Sequence, residues 1–594
     1  MGQGLRGALT RLTPVFGNLG LGMIGLLLPL VFYTRAEDAY HLPQLLALSV
    51  ALVALGIDWC RCPVSSQARK IQGVVFAFFL WRLVTHINAG WRLEWVLEQS
   101  LYAAAFFWAS RGLGHGDKAG RLIATLLTGA CIAALYGILQ SLGLDPLDPG
   151  RSAGFGARAH ATLGNPDFWG GYLVLVLPFA LDGALKRWRG LPVFFLLFAG
   201  LVLSQTRAAW LAFGVSALLL TALRVRGQDF KAARLAVLSL GCLSVVLLFS
   251  FSNPLNPSGM KSLGRLASIT DLKGEGAQGR FFLSKVAGRI ALRHPVKGTG
   301  AGHYTDAYLR EQGVLLASPE HKGQPYRFTR DAHNDWLQLA AESGVLAPLL
   351  LALAIFLALR ATRSAALATA LIAFSLNAWL AFPLAIVPSA ALFWILMGFA
   401  AAQSSESVVD HAEEEDRRGF WLPQGLLLVA SLAGALFFWR QLSASVLLNR
   451  GMNLSLAGRG QQAAPFLLKA GQLRPFDERP WMRLGLNADA AGDLALAETY
   501  FSGALQAEPA LPEAWSDRAL VRAKAGKLAE AREDCVRALE LDPRSLAALS
   551  TLGNVEYLSG NRDAAISAYQ RGLAMDPSWE TGRDNLQQIL NHPR

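Results

Sequence analysis

Charge is scarce in this chain. Lys, Arg, Asp and Glu make up 16% of its 594 residues, against about 25% in ordinary soluble proteins. With 53% hydrophobic residues beside that, a soluble globular domain is not expected. Cysteine is scarce too. Cys60, Cys62, Cys131, Cys242 and Cys535 are scattered, and the Cys60–Cys62 spacing matches no zinc pattern and has no histidine cluster beside it. No disulfide framework, metal site or cofactor is expected. A small-residue cleavage site is also missing. Arg6 and Arg11 lead into the apolar Leu19–Tyr33, so this stretch is expected to be a first span, not a removed signal. The net charge of +12 does not imply nucleic acid, because a membrane chain concentrates Lys and Arg in its cytoplasmic loops.

What the chain has instead is apolar runs of membrane-spanning length. Thirteen lie near 15–33, 42–58, 71–87, 95–110, 120–143, 169–185, 191–205, 208–224, 233–252, 341–360, 364–382, 385–403 and 421–439. They predict an all-α, polytopic membrane helix bundle of about 12–13 spans. The fourth run contains Glu98 and follows Glu94. The pair around Gln205-Thr206-Arg207 reads as two short helices or one broken helix. Basic residues follow the even-numbered runs: Arg61, Arg69 and Lys70; Arg111, Lys118 and Arg121; Lys186, Arg187 and Arg189; Arg224, Arg226, Lys231 and Arg234; Arg360 and Arg363. That bias places those loops and the N-terminus in the cytoplasm. The loop 144–168, Arg207, the long loop 253–335 and the C-terminal region then face outward.

The 253–335 loop is too long for a plain connection and is expected to be functional. It holds twelve Lys and Arg against seven Asp and Glu, which favours an anionic lipid or diphosphate. Within it, Gly279–His294 reads as an amphipathic helix stopped by Pro295. Phe281, Phe282, Val286 and Ile290 supply its apolar contacts, and Lys285, Arg289 and Arg293 form a basic stripe suited to solvent or a membrane surface. In Arg330-Asp331-Ala332-His333-Asn334-Asp335 a polar loop meets a hydrophobic helix. Asp335 is expected to cap that helix with Gln338 as its capping-box partner. His333 would stand just outside the positive helix end, where phosphate is favoured.

A mixed-charge linker over 404–420 and a last transmembrane helix over 421–440 separate the membrane domain, 1–403, from 441–594. That last part is periodic. Pro475, Pro509, Pro543 and Pro577 lie 34 residues apart, as do Gly458, Gly492, Gly526 and Gly560, and Ala463, Ala497, Ala531 and Ala565. Trp481 and Trp515 share the spacing. The period and residue types resemble the tetratricopeptide repeat. Four units over 444–579 and a capping helix over 580–594 predict an α-solenoid that binds a protein partner.

Four stretches gather on the outward side: Arg158-Ala159-His160 through Asn165-Pro166-Asp167; Ser204-Gln205-Thr206-Arg207; Gly279-Arg280 with His294-Pro295 and Gly298-Thr299-Gly300-Ala301-Gly302; and His333-Asn334 with Glu342-Ser343-Gly344. Together, and in this order, they resemble the O-antigen ligase and polymerase superfamily over roughly 15–403. Phe281 and Phe282 stand closer to the Gly-Arg pair than the family's usual aromatic residue, and Ala208-Ala209 follow Thr-Arg where a glycine is frequent. The resemblance implies an inverting glycosyltransferase in the bacterial inner membrane that needs no metal. Its donor would be an undecaprenyl-diphosphate-linked glycan, and its acceptor a hydroxyl of a lipid, glycan or protein on the periplasmic face. It further implies His333 as the essential histidine and Arg207 and Arg280 as diphosphate ligands. Arg158, Asn334, Glu342 and Arg330 are supporting candidates. The residue types suit the chemistry. Guanidinium forks bind phosphate oxygens in pairs, and a neutral imidazole can accept the acceptor's proton. A transporter of lipid-linked sugars would use the arginines for transit alone, but the spans show no internal repeat. A non-catalytic scaffold would leave the basic loop and the His-Asn pair without a role.

Overall fold

The computed structural model describes residues 13–59, 62, 64, 66–147, 154, 155, 158–226, 232–253, 275–321, 324–403 and 421–591. Arg6, Arg11, Cys60, Arg61, Lys231, Lys261, Arg265, Lys273, Lys322 and the linker expected over 404–420 lie outside the described residues.

The chain is an all-α membrane bundle with a C-terminal solenoid of tetratricopeptide repeats. Each of the thirteen apolar runs contains a helix: α1 (Thr13–Leu27), α2 (His41–Trp59), α3 (Ser66–Ala89), α4 (Leu93–Gly112), α5 (Lys118–Ser141), α6 (Pro166–Lys186), α7 (Leu191–Ser204), α8 (Arg207–Arg226), α9 (Ala232–Leu248), then, after three helices of the long connecting region, α13 (Leu346–Ala361), α14 (Ala365–Leu380), α15 (Val387–Ala402) and α16 (Trp421–Leu456). Six of these are long and apolar enough to cross a bilayer alone, namely α2, α3, α5, α6, α8 and α16. The shorter apolar ones are cut by local breaks. Gln205, in the left-handed region at φ 52°, ends α7 and separates it from α8, so this pair is two helices. α4 keeps a helix's length, 20 residues, but carries Glu94, Glu98 and Arg111.

α6 and α15 form the centre. α6 packs against α5, α7, α8, α14 and α15, and every residue of α15 is buried. A helix apolar on all sides belongs in such a position. Around them, helices leave apolar stripes uncovered, among them Leu211, Val215 and Leu218 on α8, and Val429, Leu432 and Leu436 on α16. Three- and four-residue spacing puts each stripe on one helix face, the pattern of a surface that meets lipid.

The region between α9 and α13 folds into α10 (Glu275–Arg293), α11 (Tyr304–Leu316) and α12 (Asp335–Ser343). Phe282, Val286 and Ile290 of α10 are buried as the pattern predicts, but Phe281 is 57% exposed. The basic stripe is neither membrane-facing nor simply solvated. Arg289 and Arg293 both pair with the buried Glu311 of α11, and Lys285 lies 3.0 Å from His321.

The solenoid begins inside α16, which runs unbroken for 36 residues from the membrane segment into the first repeat. α17 (Gly460–Leu473) completes that unit. The pairs α18 (Glu478–Ala490) and α19 (Leu494–Ala507), α20 (Pro512–Lys524) and α21 (Leu528–Leu541), and α22 (Leu546–Leu558) and α23 (Arg562–Met575) follow, closed by α24 (Glu580–Asn591). The periodic glycines Gly458, Gly492, Gly526 and Gly560 all take φ between 74° and 84° at the turn inside each pair, a conformation that disfavours side chains. The solenoid docks edge-on through the connections between its units. Arg479 pairs with Glu37, Arg474 with Glu94, and Arg544 donates to the carbonyls of Gln324 and His321. Ala510, Trp515 and Leu541 join the apolar core of α10 and α11.

Candidate functional site

The N-terminus of α6 is capped by Asn165, whose side chain accepts from the Asp167 amide at 2.8 Å. Its first turn presents Asp167 to the α7–α8 break. There Thr206 Oγ1 donates to Asp167 Oδ1 at 3.0 Å and to the Pro166 carbonyl at 2.9 Å. Arg158 closes the group, donating Nη2 to Asp167 at 2.7 Å and Nε to the Ser204 carbonyl at 3.1 Å. Gly170 makes this approach possible, since a Cβ there would lie 2.8 Å from Thr206 Cβ. Arg207 opens α8 directly after Thr206.

Arg280, near the start of α10, reaches the same group. Burial, with Arg207 and Arg158 beside it and Asp167 opposing them, lowers its pKa from the usual guanidinium value. His333 arrives from a fourth segment. Burial lowers its pKa below 6.5, as do Arg280 and Arg327, while Asp167 acts the other way. The imidazole is therefore neutral at neutral pH. Its ring meets Phe382 edge-on at 4.4 Å, and Phe382 meets Phe168 of α6 at 5.7 Å. The structure thus brings Arg158, Arg207, Arg280 and His333 together around Asp167.

The cap of α12 lies one residue earlier than the sequence suggests. Asn334, not Asp335, accepts from the Leu337 amide, at 3.0 Å. Asp335 instead accepts from the Leu384 amide at 2.9 Å and ties α12 to the α14–α15 connection. Gln338 accepts from the Ala332 amide at 2.9 Å. These contacts hold His333 at φ 53°, where a non-glycine residue is uncommon. Behind it, Gln338 donates to Glu342 at 3.3 Å, and Glu342 pairs with Arg82 of α3 at 2.8 Å. Glu342 therefore supports the helix that carries His333 and does not face the arginines. Arg330 lies apart, 3.8 Å from Glu478 of the solenoid.

The His294–Gly302 run has a structural task. Thr299 and Gly300 amides donate to the Ala341 and Glu342 carbonyls at 2.9 and 2.8 Å, satisfying the free end of α12. Sequence reasoning missed Asp167, Thr206, Arg82 and Arg327 as parts of the site or its support. Asp167 closes the Arg158–Asp167 stretch, but no role was expected of it beside the arginines. Arg82 and Arg327 carry no local signal, because their partners lie far along the chain.

Residues 192–352 match the family model for O-antigen ligase, and residues 512–545 match that for the tetratricopeptide repeat. The first match takes in Arg207, Arg280, His333 and Glu342. Among solved structures, the chain is similar to the Arabidopsis OM64 TPR domain, at 16% identity over 20% of this chain and 96% of that one, with a TM-score of 0.19. It is also similar to YrrB, a TPR protein with an unusual peptide-binding site, at 18% identity over 28% and 85%, TM-score 0.24. MamA from Desulfovibrio magneticus gives 19% identity over 25% and 90%, TM-score 0.23. No curated protein matches.

Proposed function

We propose that this chain, a multi-pass membrane protein carrying an O-antigen ligase region and tetratricopeptide repeats, moves a glycan from an undecaprenyl-diphosphate carrier to an acceptor hydroxyl. The O-antigen ligase match supports a ligase- or polymerase-type membrane glycosyltransferase. The observation that carries the finer reading is the meeting of Arg158, Arg207, Arg280 and His333 from four distant segments. Arg207 and Arg280 bind the diphosphate, and the charge that grows on it as it leaves is stabilised by fixed guanidinium groups. Arg158 holds Asp167, and Asp167 keeps the arginines in place. The acceptor oxygen attacks the anomeric carbon, the bond from that carbon to the phosphate oxygen breaks, and undecaprenyl diphosphate departs with the electron pair. His333, neutral and half-buried, takes the acceptor's proton. One displacement inverts the anomeric centre.

The site faces the periplasm across a bacterial inner membrane on the basic-loop orientation. The solenoid rests on the loop that carries the site, which supports recruitment of an acceptor or assembly protein, since tetratricopeptide domains commonly bind proteins. Polysaccharide polymerisation and protein O-glycosylation are the alternatives within the same chemistry.

The test is transfer by the purified full-length protein from an undecaprenyl-diphosphate-linked glycan to a panel of lipid, glycan and protein acceptors. His333→Asn is the informative variant, because Asn tolerates the left-handed backbone. It should lose roughly 10²–10⁴-fold in transfer while binding donor normally. Undiminished transfer would remove His333 from the mechanism. Donor binding by the wild type with transfer to no acceptor would favour a transporter.

A further inference from the structure

A second cavity lies at the opposite end of α10 from Arg280. It has a volume of about 370 Å³ and forms where the last turn of α10, one face of α11 and Ala89, the final residue of α3, come together. Arg280 belongs to the candidate site and Arg293 to this cavity. They lie on one helix, about 20 Å apart at 1.5 Å rise per residue, so the two sites are separate.

The carboxylates of the cavity are already paired. Glu311 holds Arg289 and Arg293, and Asp306 holds Arg92 and His303. Arg310 and His294 line the same cavity, and neither side chain has an ion pair or hydrogen bond among the described residues. The backbone of the His294–Gly302 run clasps α12, but the His294 side chain takes no part in that. An arginine and a histidine are thus left to take an anion from outside the chain.

The surroundings indicate which anion. α3 is long and apolar enough to cross a bilayer, so Ala89 at its end stands at a membrane edge. Trp91, exposed just beyond it, is a residue type that settles at such an edge. Along α3, Phe76, Leu80, Val84 and Ile87 are exposed on one face. On α13, which packs against α3, Leu349, Leu353 and Phe356 continue a similar stripe from the exposed Val345. Both stripes run to the cavity. Ile87 sits just before Ala89, and the Val345 amide donates at 2.9 Å to the carbonyl of Pro295, the neighbour of His294. Two apolar tracks that end at unpaired basic groups match the two parts of a lipid, chains along the helices and a charged headgroup in the cavity.

From this geometry we propose that the cavity binds the phosphate headgroup of an acidic glycerophospholipid, held by Arg310 and His294, with its acyl chains along α3 and α13. Arginine suits the role because it stays charged and grips phosphate oxygens with two parallel hydrogen bonds. The bound lipid fastens the end of α10 to α3. The assignment does not depend on glycosyl transfer.

The test titrates full-length protein, stripped of lipid in a neutral detergent, with phosphatidylglycerol, with phosphatidylcholine of the same chains and with glycerol 1-phosphate. Native mass spectrometry counts the bound molecules, and the unfolding midpoint follows affinity. The wild type should prefer phosphatidylglycerol to phosphatidylcholine by roughly 10-fold, the weight of one or two basic groups at a membrane surface. Glycerol 1-phosphate should bind far more weakly. Arg310→Gln combined with His294→Gln should abolish the preference and keep the lipid-free midpoint, and Arg310→Lys should keep part of the preference. Lys297→Gln, which removes an exposed cation outside the cavity, should keep all of it. Equal binding of the two lipids by the wild type, or an unchanged preference in the double variant, would overturn the assignment. Glycerol 1-phosphate bound as tightly as phosphatidylglycerol would also overturn it, because the ligand would then be a soluble anion. So would displacement of phosphatidylglycerol by an equimolar phosphorylated glycolipid, which would make the cavity a glycolipid site.

Discussion

His333 combines two uncommon properties at one residue. Its backbone lies in the left-handed region, and burial with Arg280 and Arg327 lowers its pKa. Both favour a fixed, neutral base. The consequence for pH follows from the direction of the shift. Protonation removes the base, so kcat/KM should fall as pH drops through a value below 6.5 and be flat above it. Arg280→Ala removes a nearby cation, so the acid limb should move toward higher pH, in addition to weakening donor binding. The pH profiles of kcat/KM for the two proteins check this, and a wild-type limb above 6.5 would contradict it. The histidine and its asparagine were readable as a motif. The cap was not assigned correctly, because Asn334 and Asp335 are both good caps, and only the Leu384 amide draws Asp335 away.

At the level of elements, α12 decides where the histidine stands. Its far end is clasped so closely that a Cβ on Gly344 would fall 2.0 Å from the Val296 carbonyl oxygen, at a φ of 67°. Gly344→Ala should therefore lose both thermal stability and transfer, with strain of at least about 1–3 kcal/mol. The buried Arg82–Glu342 pair fixes the same helix from α3, with side-chain exposures of 13% and 5%. Arg82→Ala strands a buried carboxylate and should destabilise by about 3–5 kcal/mol. Arg82→Lys should lose less. Unfolding midpoints in one detergent measure both. The glycine run was legible as a family-like motif, yet its work is backbone packing, which no sequence pattern separates from ligand binding.

On the scale of the whole molecule, the solenoid is joined to the α10–α11 region and not merely tethered to the membrane. The carboxyls of Glu508 and Asp306 lie against each other at this junction, with Arg92 and His303 facing Asp306. Burial and Asp306 raise Glu508 to about 8. A raised carboxyl stabilises the docked form at low pH and loses that contribution as pH rises through its folded value. Docking should therefore loosen as pH rises through about 8. Glu508→Gln should remove that step, read by hydrogen exchange at 541–545. Since Arg544 holds the carbonyls of Gln324 and His321, Arg544→Ala should loosen docking, read by faster hydrogen exchange at 324–329, and Arg544→Lys less so. A reporter fused to the C-terminus should be active on the same side as one placed in the 275–335 loop.

Composition and period determined the class of architecture. An excess of apolar runs admits little except membrane helices, and four residue types on one 34-residue period admit little except stacked helix pairs. The candidate arginines and the histidine were legible because each lies in a short motif that resembles a known family. Tertiary structure alone decided that these ends meet, that Asp167 joins them, that Arg330 turns away to Glu478 and that Arg327 takes the place beside His333. Those contacts join residues tens to hundreds of positions apart, and their geometry follows from how rigid helices pack against one another, which local patterns do not encode.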